Sequence, residues 1–136
     1  MTDPSQTADQ DPDAWARETE DRVLDAALAH VVHEGWTRRL AIRAGADVGL
    51  SAGETELLLP NGAADLAALL ARRHDRRALA ALAGTDPTSL KIRERIRAGV
   101  EARLDAAAQD EAAVRRWSGF LALPQNLALG GRLLWD

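Results

Sequence analysis

GWTRRLAIRAGADVGLSAGE, residues 35–54, is the stretch on which the fold turns. Gly35 can end a preceding helix, and Thr37 offers a hydroxyl to cap the next one. Leu40, Ala41 and Ala44 then recur at helical spacing, which predicts a short helix over 38–47 with those three facing inward. Gly49 supplies a turn. Ser51 opens S-A-G-E, the pattern of a capping box with Glu54 three residues into the helix. Pro60 disfavours helical backbone at the residue before it, so this helix is predicted to end near Leu59. A short helix, a glycine turn and a second short helix make a helix-turn-helix pattern.

On the N-terminal side, residues 1–12 (MTDPSQTADQDP) are polar, hold two prolines and read as a disordered tail. A first helix is predicted from an Asp13 cap to Gly35, with Leu24, Ala27, Leu28, Val31 and Val32 as its apolar stripe. On the other side, Asn61-Gly62 makes a turn into a fourth helix that runs to about Ala83 and carries Leu66, Leu69, Leu70, Leu79 and Leu82. Gly84 stops it. Asp86-Pro87 reads as the cap and first residue of a fifth helix, whose apolar row is Ile92, Ile96, Val100 and Leu104. A sixth spans 110–122, and Pro124 opens a seventh segment with Leu127, Leu129, Leu133, Leu134 and Trp135. The chain stops at Asp136, directly after that apolar cluster, which reads as a shortened chain whose further C-terminal helices are missing.

The expected fold is therefore all-α, a helical bundle of about seven helices: tail 1–12, helix-turn-helix domain 13–83, and 84–136 as the start of a ligand and dimerisation region. Composition agrees. Of the 136 residues 46% are hydrophobic, much of that alanine, and no alternating run predicts a strand. The absence of cysteine excludes disulfides, cysteine zinc sites and a thiol nucleophile. No apolar run approaches the ~20 residues that span a bilayer. The acidic N-terminus is the wrong charge for a secretory or mitochondrial leader, so a bacterial cytoplasmic location is expected, with peripheral contact at the inner membrane.

No pattern predicts catalysis. There is no glycine-rich phosphate loop, no G-x-S-x-G, and no serine placed beside a histidine. His30 and His33 stand one helical turn apart, but a metal needs a third ligand, and His74 belongs to another helix. Neither a metal, a cofactor nor an enzyme activity is expected.

Residues 33–37 (HEGWT), 62–66 (GAADL), 90–97 (LKIRERIR), 123–126 (LPQN) and 133–136 (LLWD), in that order, resemble the Coq-nine family, the TetR-like lipid-binding accessory proteins of ubiquinone biosynthesis. The resemblance covers about residues 20–136, and 35–54 occupies the place of the TetR-type core signature. It implies a TetR-like fold that has lost DNA recognition, a homodimer, an apolar pocket for isoprenoid lipid, and presentation of a quinone intermediate to the di-iron demethoxyubiquinone hydroxylase. Trp135 and Asp136 match the start of the family's partner-facing stretch, which implies partner contact there.

The charges bear on the alternative, a TetR-type transcriptional regulator. Duplex binding draws most of its affinity from cations set against phosphates. From Asp47 to Asp65 the charged residues are Asp47, Glu54, Glu56 and Asp65, all acidic, and Leu57, Leu58 and Leu59 stand where a reading helix would present polar groups. The net charge is −4. No DNA partner is expected; if one existed, Arg38, Arg39 and Arg43 would serve it.

Trp117, Phe120, Leu121, Leu133 and Leu134 concentrate large apolar side chains in a chain with only four Trp, one Phe and no Tyr. They either hold the last helices together or form a wall of a lipid pocket, where a prenyl tail gains about 0.8 kcal/mol per buried CH₂. Two cationic clusters, Arg72, Arg73, Arg76 and Arg77, and Lys91, Arg93, Arg95 and Arg97, read either as solvated faces or as contacts for anionic lipid or an acidic partner.

Overall fold

A computed structural model describes residues 11–135. They form seven α-helices: α1 (Pro12–Glu34), α2 (Arg38–Asp47), α3 (Ala52–Leu58), α4 (Ala63–Leu82), α5 (Ile92–Ala108), α6 (Glu111–Leu121) and α7 (Leu127–Trp135). Single 3-10 turns fall at Pro87–Ser89 and Pro124–Asn126, and there is no strand among the described residues. The all-helical class is the one the sequence predicts.

The tail expected over 1–12 lies outside the described residues as far as position 10. Of its last two positions, Asp11 caps α1 and Pro12 begins it. Asp11, not Asp13, is the cap: its carboxylate accepts from the Asp13 N–H at 3.0 Å, and Pro12 takes the first helical position, where a missing N–H costs nothing. The buried face of α1 is Val23, Leu24, Ala27 and Val31. Val32, expected on that stripe, lies a further ~100° around the helix and is exposed.

The segment 35–54 folds as its local chemistry dictates. Gly35 ends α1 with φ 69°, and Thr37 Oγ1 accepts from the Leu40 N–H at 3.1 Å. The Ser51 hydroxyl accepts from the Glu54 N–H, and the Glu54 carboxylate accepts from the Ser51 N–H, both at 3.1 Å. Gly49 makes the turn with φ 90°. α2 and α3 meet where Gly45 has no side chain: a Cβ there would lie 2.0 Å from Thr55 Oγ1.

One core unites α1 to α4. It runs from Val23 to Leu70 in sequence and takes a single fully enclosed residue from later in the chain, Ala113 of α6. Trp36, also in the core, donates its indole N–H to the Ala113 carbonyl at 3.2 Å and so fastens α6 to the α1–α2 junction. α4 is clamped to α1 by arginines: Arg73 reaches Asp25 at 2.6 Å and the Asp21 carbonyl at 3.1 Å, Arg76 reaches Asp21 at 3.3 Å, and Arg72 reaches Glu20 at 3.8 Å.

α5 departs from expectation twice. Asp86 caps the 3-10 turn, accepting from the Thr88 N–H at 2.9 Å, and α5 itself starts only at Ile92. Its apolar row faces outward. α5 lies along α4 on its small side, with Ala98 and Ala102 half-buried and Ala106 buried, while Ile92, Ile96, Val100 and Leu104 are all exposed. Small side chains let two helix backbones approach closely, so they take the packed face, and the large residues turn away from it.

Candidate functional site

α4, α5, α6 and α7 enclose a cleft of about 760 Å³. Its walls are Trp117, Leu121 and Ala122 from the end of α6 and Leu127 and Leu133 from α7, and Gly130 and Gly131 open space between them. Its polar groups are the Ser118 hydroxyl and the Asp75–Arg103 ion pair, 2.8 Å long, which joins α4 to α5. Arg103 is drawn toward Asp75, and the Ser118 hydroxyl donates to the Val114 carbonyl at 3.0 Å. Trp117 differs: its indole N–H is buried and meets no acceptor among the described residues. A buried donor left unanswered costs about 1–3 kcal/mol, and this one is closed off beneath the wall, on the side of Trp117 that packs on the core.

Three of the five residues expected to line a lipid pocket, Trp117, Leu121 and Leu133, are gathered in this cleft. Phe120 is not. It lies round the side of α6 from the cleft, packs against the core as Trp117 also does, and borders a shallow groove with Trp36, Arg116 and Leu123. The reason is helical geometry: Phe120 is ~100° from Leu121 and, three residues on from Trp117, ~60° away from it in the other direction. Leu134 lies in α7, but its side chain is outside the described residues, as is all of Asp136. Trp135 ends α7 with 93% of its surface exposed.

Asp75, Arg103, Leu127, Gly130 and Gly131, with Ser118 and Ala122, complete the cleft and are absent from the sequence-based candidates. The adjacent glycines inside a helix were the one local signal available, because two positions without side chains leave room for something else. Asp75 and Arg103 reach the cleft only through tertiary packing.

Two other depressions are less suited to an apolar ligand. One between α1 and α4 is walled by Arg17, Glu18, Glu20, Asp21, Arg72 and Arg76. One between α4 and α7 carries Asn61, Asp65, Asp75, Gln125, Asn126 and Arg132.

Two of the three histidines are each paired with a single carboxylate. His30 Nε2 pairs with Asp47 at 2.6 Å. His74 is fully buried, and its Nε2 pairs with Asp110 at 2.8 Å; the same carboxylate oxygen accepts from Arg77 at 2.8 Å. Around α3, Arg38 is bonded to Glu56 at 3.2 Å and Arg43 to Glu34, so two of the three arginines considered for phosphate contact are turned to carboxylates. No described helix is long and apolar enough to cross a membrane. No family model matches the chain, and no curated protein or solved structure matches it significantly.

Proposed function

We propose that the chain is a non-catalytic lipid-handling protein. It binds an isoprenoid lipid in the α5–α7 cleft and presents a quinone intermediate to the demethoxyubiquinone hydroxylase of ubiquinone biosynthesis. It works as a homodimer in peripheral contact with the membrane. The observation that carries this reading is the convergence of Trp117, Leu121, Leu127 and Leu133 on one cleft of about 760 Å³, within the range of small-molecule sites. A prenyl tail is held there by burying hydrocarbon. Trp135, exposed at the end of α7, is the residue assigned to partner contact.

Native mass spectrometry of the purified chain, with lipid extraction from the same sample, tests the proposal. A prenyl or quinone-like lipid is expected to travel with the protein. Leu121→Asp, which places a charge on the cleft wall at a half-buried position, is expected to abolish lipid binding while the helical circular dichroism is kept. A chain that is bare as purified and takes up no added prenylquinone overturns it.

The helix, turn and helix over 38–58 favour a second reading, a TetR-type regulator. Its would-be reading helix presents Glu54, Glu56 and an 86% exposed Leu57 and carries no cation. That reading requires duplex binding that weakens steeply with salt; the lipid-handling reading requires none.

A further inference from the structure

Ile92, Ile96, Val100 and Leu104 are 73%, 63%, 53% and 62% exposed, and they follow one another at four-residue steps. Residues so spaced form one continuous ridge on a helix surface, the kind that packs into the grooves of another helix. Beside the ridge, one position after each member, stand Arg93, Arg97, Glu101 and Asp105. None of the four makes an ion pair among the described residues, although Arg97 and Glu101 are a single turn apart. Arginine N-terminal to glutamate is the less favourable order for pairing within a helix. By contrast, the four arginines of α4 are all bound to carboxylates of α1 or to Asp110.

The order along that edge is two cations followed by two anions. It is self-complementary when read backwards. We propose that a second copy of this chain covers the ridge, with its α5 antiparallel to the first. Ile96 then meets Val100 of the second copy and Ile92 meets Leu104. On the flanking edge, one residue further along both helices, Arg97 faces Glu101 of the second copy and Arg93 faces Asp105, each contact occurring twice about the twofold axis. Gly99 lies beside the crossing point; no neighbouring atom occupies the space its side chain would fill, so it leaves room there for the second helix. An anionic membrane surface fits this face less well, because half of the edge is acidic.

The proposal names the surface of the homodimer invoked above and rests on that part of the reading, but not on the cleft. Sedimentation equilibrium from micromolar to millimolar concentration tests it. The chain is expected to dimerise, and Ile96→Asp, at an exposed position, to leave a folded monomer. Arg97→Glu and Glu101→Arg are each expected to weaken the dimer about tenfold by setting like charges opposite one another, and the double variant to restore it. Leu121→Asp is expected to leave the dimer intact, so failure of lipid binding and failure of this interface are read separately. A wild-type monomer across the whole range overturns the proposal. So does a dimer indifferent to Ile96→Asp, or single charge reversals that the double variant does not rescue. A monomer that binds phosphatidylglycerol vesicles, and loses them on Ile96→Asp, assigns the ridge to a membrane instead.

Discussion

His74 sits with no exposed surface in the last half of α4, between Asp110 and the cations Arg77 and Arg103. Burial pushes its pKa below the ordinary histidine value. The hydrogen bond to Asp110 opposes that shift without reversing it, and the two arginines add to it. The fold therefore favours neutral imidazole, with Nε2–H donating to Asp110. Nδ1 is then left without a partner among the described residues. In the unfolded chain the same histidine takes up a proton near pH 6.5. The unfolded state thus binds more protons as pH falls below that value, and the stability His74 contributes is complete above it and lost through the range down to the folded pKa. Urea unfolding at about pH 7.5 and about pH 5 is expected to show the loss, and His74→Gln, which keeps a donor toward Asp110, to shrink it. Equal pH dependence in the two proteins would show that other groups carry it. Nothing near His74 in sequence announces this site: its partner lies 36 positions away.

The elements divide by how local their determinants are. α2 and α3 were legible in residues 35–60, because a threonine cap, a capping box and a proline act within a few positions of themselves. α5 was only half legible. Spacing tells which residues share a face but not which way the face points; that was decided by Ala98, Ala102 and Ala106 packing more closely on α4 than isoleucines could. The same non-locality hid Asp75 and Arg103 from the cleft, while Trp117, Leu121 and Leu133 stood out as large side chains in an alanine-rich chain. Between α2 and α3 the determinant is a missing side chain. Gly45→Ala drives a methyl into Thr55, which is itself buried and fixed by a 2.9 Å bond from its hydroxyl to the Ser51 carbonyl. Overpacking of this kind costs about 1–3 kcal/mol, and denaturant unfolding is expected to show it. A Gly45→Ala protein as stable as the parent would mean that α3 moves freely on α2, and that the turn rather than the contact sets their arrangement.

Across the whole molecule, burial is uneven. α1 to α4 supply nearly all of the enclosed core, whereas among the described residues of α5, α6 and α7 only Ala106 and Ala113 are buried. Apart from the small-residue contact of α5 along α4, the second half is held on by point attachments: the Trp36–Ala113 bond, the Asp110 bonds to His74 and Arg77, the Asp75–Arg103 pair, and Arg116 reaching the Val32 carbonyl at 2.6 Å. Regions with few buried apolar contacts open at lower free energy than the core that carries global stability. Amide hydrogen exchange is therefore expected to be at least about 100-fold faster in the middle of α5 and α7 than in the middle of α1 and α4. The same experiment bears on the cleft, whose walls belong to the loosely held half. A prenylquinone seated against Trp117, Leu121 and Leu133 adds apolar contacts that only the closed arrangement of α6 and α7 can make, so it should slow exchange there and leave α1 unchanged. The dimer proposed for α5 should slow exchange in that helix with rising protein concentration and no lipid at all. Protection that follows lipid in α6 and α7, and concentration in α5, would show that the loosely packed half is completed from outside by two separate contacts. Protection that follows neither would leave both the cleft and the ridge without an occupant.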